Sequence, residues 1–381
     1  MQPTPFQIAF PDEIFRDLND RLARTRWPDQ APGEEWQFGT SLAYLKELTN
    51  YWRDGFDWRV QEARLNRFKQ FRVPLAGIDL HFIHEQGVGP KPMPLLLSHG
   101  WPGSILEFHK LIPMLTNPAA YGGDPNDAFT VIAPSLPGYT LSFKPNQPRF
   151  GAIEMAAVFA TLMKDVLGYD RYAAQGGDWG AFVTSRLALD HPEQLHGIHL
   201  NLLGVRRDLT LADTGSDEEK QFLKQLQYFL KEETGYQAIM ATKPQTLAFA
   251  LSDSPVGLAS WIVEKFRTWS DCDGTIENAI TRDEMLTNIT LYWATGAINS
   301  ASWPYYARAH GPWPIPHGDR VEVPTAYAAF PKEILRPPRS IAERFYNIQR
   351  WTTMSKGGHF AALEQPQLLA DDVRAFFRRF R

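Results

Sequence analysis

Gly176-Gly177-Asp178-Trp179-Gly180 has the Gly-x-Ser-x-Gly layout of a nucleophile elbow, a sharp strand-to-helix turn, with an aspartate where the serine would stand. A serine in that place forms an acyl enzyme after a histidine activates its oxygen. A carboxylate is already ionised at neutral pH, so it can displace an oxygen or a halide from a saturated carbon and form an alkyl ester. That ester must then be hydrolysed, and the histidine's task moves to activating a water. The flanks suit the turn: residues 172–175 are apolar enough for a buried strand, and Ala181-Phe182-Val183 with Leu187-Ala188-Leu189 suits the following helix. Taken alone, the pentapeptide is also compatible with an ordinary Gly-Asp turn. The rest of the chain separates the two.

Outward from the elbow, short buried strands are expected at 94–98, 130–133, 172–175 and 197–202, with a helix over 153–166 and a hairpin pair at 70–73 and 78–83. Strand character resumes at 325–330 and 348–353, and 365–380 closes as a helix. Strand and helix alternation predicts a mostly parallel sheet with helices on both faces. Before this core, residues 1–70 read as a helical arm: Ile14, Phe15, Leu18 and Leu22 share a face, and so do Leu42, Leu45, Leu48 and Trp52. The segment 56–71 continues in the same style. Stripes of this kind pack, so the arm is assigned a structural role.

Between the two parts of the core, 71–203 and 317–381, residues 204–316 are helical and aromatic-rich. A sheet interrupted there is similar to the plan of an α/β-hydrolase with a helical cap. Ligands of open α/β sheets bind beyond the carboxyl ends of the strands, so the cap would roof the elbow.

The 381 residues have 44% hydrophobic content, 22% charged content and a formal net charge of -4. Lys and Arg are dispersed and slightly outnumbered by Asp and Glu, which argues against a nucleic-acid partner. The single cysteine, Cys272, excludes an intrachain disulfide and fits a reducing compartment. No apolar run is long enough to span a membrane, and Met1-Gln2-Pro3-Thr4-Pro5 lacks the basic and apolar regions of a signal peptide. A cytoplasmic protein without a membrane partner is expected. Gly122-Gly123-Asp124-Pro125-Asn126-Asp127 lacks calcium-loop spacing and reads as a turn. Metal spacings and phosphate loops are absent, so neither a metal nor an organic cofactor is expected.

In a fold of this plan the nucleophile is followed by an acid and then a histidine. His359 lies in a loop just after the last expected strand. Glu333, in Ala329-Phe330-Pro331-Lys332-Glu333, follows the preceding strand, whereas Asp319 and Glu322 precede it. A carboxylate on one imidazole nitrogen would set the tautomer and stabilise the imidazolium formed when water gives up its proton. His196 and His199 fall inside a strand pattern and read as structural. His99-Gly100-Trp101-Pro102-Gly103-Ser104 follows a buried strand, so the amides of Trp101 and Trp179 form a candidate oxyanion hole.

Together these pieces resemble the microsomal-type epoxide hydrolases over nearly the whole chain. The matching runs include Pro5-Phe6-Gln7-Ile8, Arg24-Thr25-Arg26-Trp27-Pro28, the loop 99–104 and the elbow. Ser252-Asp253-Ser254-Pro255-Val256-Gly257-Leu258, Trp261, Glu264-Lys265-Phe266 and the run 357–364 follow in order. Membrane-bound animal members carry an N-terminal anchor, and this chain begins directly with the arm. The resemblance implies an epoxide hydrolase that converts a small apolar epoxide and water to a vicinal diol. It also implies two cap tyrosines that donate hydrogen bonds to the epoxide oxygen, namely Tyr236 and Tyr305, with Tyr306 open as the alternative to Tyr305. Homodimers formed through the cap are a further implication. Two rivals stand beside this reading. A haloalkane dehalogenase shares the aspartate, histidine and ester but holds halide with indole or amide donors, and a non-catalytic binding module could share the scaffold.

Overall fold

Strands buried on both faces need apolar side chains throughout, and β5 (Phe129–Pro134) and β6 (Tyr172–Gly176) are buried along their whole lengths. The computed structural model describes residues 2–205 and 215–381. The other strands are β1 (Thr4–Phe6), β2 (Gln70–Leu75), β3 (Ile78–Glu85), β4 (Met93–Ser98), β7 (Leu195–Leu200), β8 (Val321–Ala329) and β9 (Tyr346–Thr353). Among the described residues they form one sheet in the order β1-β2-β3-β5-β4-β6-β7-β8-β9. Pairing is antiparallel from β1 through β3 to β5, and parallel from β5 through β4 to β9. The sheet is thus mostly parallel, as expected. The β2–β3 hairpin turns through Ala76 and Gly77, both with positive φ, as a two-residue turn requires.

Helices α1 (Asp12–Ala23), α2 (Leu42–Asp54) and α3 (Trp58–Leu65) precede β2, while α4 (Leu111–Thr116), α5 (Ala152–Thr161) and α6 (Asp178–Asp190) connect the central strands. Between β7 and β8 come α7 (Asp217–Tyr228), α8 (Gly235–Thr242), α9 (Pro244–Asp253), α10 (Pro255–Trp269), α11 (Arg282–Thr295), α12 (Ile298–Ala301) and α13 (Trp303–His310). The remaining helices are α14 (Arg339–Phe345), α15 (Ala361–Glu364) and α16 (Pro366–Phe377). Of the stretch assigned to the cap from its sequence, residues 206–214 lie outside the described residues.

Two expectations need correction. The arm is not wholly helical, because β1 adds an edge strand to the sheet against β2. The helical style expected over 56–71 covers only α3, which Asp57 caps by accepting from the Arg59 and Val60 amides. Asn66 ends it, using its side chain to bond both backbone groups of Ile8 at 2.8 Å. A third difference is small: the helix expected over 153–166 is α5 followed by a wider π-turn, Leu162–Val166.

The arm braces the cap. Trp52 Nε1 donates to Thr290 Oγ1 at 3.1 Å and Tyr51 Oη to Asp283 Oδ1 at 2.7 Å, both on α11. From its other side, α11 holds the loop after β4: Asn288 Nδ2 donates to the Pro102 carbonyl at 2.7 Å and Tyr292 Oη to that of Gly103 at 2.8 Å. The loop that carries the Trp101 amide is therefore positioned by the cap as well as by β4.

Candidate active site

Asp178 sits where β6 gives way to α6, with φ of +47°, a conformation that side chains with a Cβ rarely adopt. Its neighbours must be glycines for reasons of space. A Cβ on Gly180 would lie 1.9 Å from the Ser98 carbonyl oxygen, and one on Gly176 would lie 2.3 Å from that of Gly180. The close approach brings the elbow against the end of β4, so the Trp101 amide donates to Asp178 Oδ1 at 2.8 Å. Burial favours the neutral carboxyl, but His359 and the amides of Trp101 and Trp179 outweigh it, and Asp178 is held below the ordinary carboxylate range.

His359 follows β9 and Glu333 follows β8. The imidazole Nδ1 lies 2.6 Å from Glu333 Oε1, while Nε2 faces Asp178 Oδ2 at 3.4 Å. Burial alone would lower the histidine, yet Glu333 and Asp178 push it up to about 10. The imidazolium therefore bridges two carboxylates. Glu322, the weaker alternative for the acid, pairs with Arg320 at 2.7 Å, and Asp319 lies in the turn before β8.

A residue that sequence reasoning did not single out holds this histidine loop. Glu364 accepts from the amides of Gly358 and Phe360 at 2.9 Å each and from that of Asp271 at 2.8 Å. Burial pushes its carboxyl up to about 7 against those three donors. The His359 amide in turn donates to the Trp269 carbonyl at 2.8 Å, which ties the loop to the cap.

Above Asp178 the cap and core form an aromatic cage. Tyr236, at the start of α8, stacks on Trp101 with centroids 5.3 Å apart, and Tyr305 on α13 meets Trp179 edge-on at 4.8 Å. The two tyrosine rings are 5.7 Å apart and both are buried. Tyr306 points elsewhere, stacked between Trp303 and His310. Trp269, at the end of α10, completes the cage between Tyr236 and His359, at 5.4 and 5.1 Å. No sequence signal marked it, since an aromatic at the end of an apolar helix reads as core. Gln237 Nε2 donates to Tyr236 Oη at 2.8 Å. Among the described residues, no group of three or more His, Cys, Asp or Glu side chains could hold a metal ion.

The arrangement provides a pinned carboxylate, a carboxylate-backed imidazole and two buried tyrosines in one aromatic cluster. Comparison with known proteins agrees with what that set can do. A family model for the epoxide hydrolase N terminus matches residues 3–108, and one for the alpha/beta hydrolase fold matches 93–244. Epoxide hydrolase 1 of Oryctolagus cuniculus is 39% identical over 98% of this chain and 88% of its own length. The Aspergillus niger epoxide hydrolase structure superposes with a TM-score of 0.86 at 31% identity, covering 100% of this chain and 97% of that one. The juvenile hormone epoxide hydrolase of Bombyx mori gives 0.83 at 32% identity, covering 100% and 94%. The chain thus belongs to the epoxide hydrolase family on the α/β hydrolase fold, and it is an epoxide hydrolase.

Proposed function

We propose that the enzyme opens a small apolar epoxide in two half-reactions through a covalent ester on Asp178. The observation that carries this reading is the bridge formed by His359, with Glu333 on Nδ1 and Asp178 on Nε2. In the first half-reaction Oδ2 attacks a ring carbon while Oδ1 stays on the Trp101 amide. The carbon–oxygen ring bond breaks, and the departing oxygen takes a proton from one of the phenols of Tyr236 and Tyr305 while the other donates a hydrogen bond to it. An alkoxide is a poor leaving group, so the proton must be delivered as the bond breaks.

Esterification removes the Asp178 charge, one of the two that hold His359 at about 10. The imidazolium then releases its proton, which restores the tyrosine, and neutral His359 becomes a base backed by Glu333. Water attacks the ester carbonyl, and the oxyanion develops at Oδ1 against the amides of Trp101 and Trp179. Collapse releases the diol and regenerates the carboxylate.

The test is a single turnover with excess enzyme in heavy-oxygen water. The first diol is expected to carry unlabelled oxygen from the Asp178 carboxylate. Full incorporation of solvent label in that first turnover would sink the covalent route.

A further inference from the structure

Beside Asp178 lies a small chamber with about 10 Å³ of room for the centre of a water molecule, enough for a single water. Asp178 and His359 border it, together with Ser98, Glu107, Gln175 and Asn201, whereas neither Tyr236 nor Tyr305 does. Its polar lining is under-used. Ser98 Oγ and Gln175 Oε1 are buried without a protein partner, and Gln175 Nε2 is committed to Asn201 Oδ1 at 2.8 Å. Buried polar atoms of this kind are satisfied by ordered water.

Glu107 sits on the short 3-10 turn Ile105–Phe108. Its carboxyl occupies space that only a glycine at 103 leaves open, since a Cβ there would fall 1.6 Å from Oε1. Gly100 likewise makes room for the Asp178 carboxylate, with a Cβ only 2.3 Å from Oδ1. Two glycines of one loop thus let two carboxyl groups approach the same chamber.

We propose that this chamber holds the water consumed in ester hydrolysis and that Glu107 orients it, an inference that rests on the covalent-ester reading. One hydrogen of the water is held by the Glu107 carboxyl, and the other passes to His359 Nε2 as the water oxygen bonds to Asp178 Cγ. The ester bond to the diol oxygen then breaks, that oxygen takes the proton back from the imidazolium, and Asp178 keeps the oxygen of the water and passes the remaining water proton to His359, which restores the carboxylate and imidazolium. Because the chamber does not touch the two tyrosines, substrate in the cage leaves the stored water in place.

The charge state of Glu107 suits this task. Burial pushes its carboxyl up to about 8, with His359 opposing and Asp178 reinforcing the shift. A neutral carboxyl still accepts a hydrogen bond but adds no further negative charge to keep His359 protonated once Asp178 is esterified.

Rapid-mixing kinetics separate the two half-reactions. Glu107→Leu is expected to slow ester hydrolysis on the order of tenfold, the loss of one useful hydrogen bond, while alkylation proceeds at the wild-type rate. The adduct then accumulates and is visible by intact mass. Glu107→Gln, which keeps an acceptor, should recover most of the loss. Gly103→Ala, which displaces the carboxyl without removing it, should slow hydrolysis as Glu107→Leu does. Wild-type hydrolysis in a folded Glu107→Leu protein, or an equal loss in both half-reactions, overturns the proposal. Should that variant not fold, a high-resolution crystal structure of the unaltered protein decides: an ordered water within reach of Glu107 and Asp178 supports the proposal and a dry chamber overturns it. A His359→Gln control distinguishes the two levels. If it forms no adduct, the covalent reading itself has failed, and the water site with it.

Discussion

Tyr236 and Tyr305 reach one point from helices far apart in the chain, and this convergence shapes what their removal should do. Either phenol alone can still protonate a developing alkoxide, so Tyr236→Phe or Tyr305→Phe is expected to slow alkylation by up to about 100-fold and leave activity measurable. The double variant should be nearly inactive in alkylation. Tyr306→Phe, stacked away from the cage, should alkylate normally. Stopped-flow quenching of Trp fluorescence reads the step, with Trp101 and Trp179 beside the reacting groups. Wild-type alkylation in the double variant would remove both tyrosines from the mechanism. Asp178 was legible in the sequence because an elbow is a local signal, with glycines at fixed offsets. The choice between Tyr305 and Tyr306 was not, since adjacent helical residues point about 100° apart and only packing selects the inward one. Trp269 escaped notice because its partners are distant in sequence, and Glu364 because nothing in the sequence tells a carboxylate turned back onto its own loop from an exposed one.

At the scale of elements, the contact between the elbow and the end of β4 leaves no room for a methyl group at Gly180. Gly180→Ala should destabilise the protein by about 1–3 kcal/mol, the usual range for overpacking, because the obstructing atom is the backbone oxygen of Ser98 rather than a flexible side chain. Gly235→Ala, at the start of α8 with no atom within 4 Å of the new Cβ, should be neutral or stabilising by up to about 1 kcal/mol. Urea unfolding of the two variants side by side checks the contrast, and equal costs would refute the steric account. The strands of the core were expected within a few residues of their observed ends because a buried strand is written as a continuous apolar run. Strand β1 has only three residues, two of them exposed. It exists through its pairing with β2, so no local pattern could announce it.

For the whole molecule, the buried ionisable groups give stability a definite slope on the alkaline side. His359 is raised from 6.5 to about 10 in the folded state, so its contribution is complete below about pH 6.5 and is lost as pH rises toward 10. Glu107 and Glu364, raised from 4.5 to about 8 and about 7, act in the same direction but at lower pH, between about 4.5 and those values, so His359 carries most of the slope above pH 8. Denaturant midpoints measured at constant ionic strength should therefore fall steadily from pH 7 to pH 10, and His359→Gln should flatten the slope. A rising or level midpoint in the unaltered protein would contradict these shifts. The sequence by itself determined the sheet-forming runs and the elbow, which depend on neighbours a few residues away, and the order of Asp178, Glu333 and His359, which follows from the order of the strands they come after. Only the tertiary structure decided which of the two adjacent tyrosines joins the aromatic cage, that Trp269 and Glu364 hold the histidine loop, and that a glycine at 103 leaves room for Glu107 beside a water-sized chamber. Those outcomes depend on how side chains pack once the segments are folded together, which no hydrophobic pattern or motif encodes.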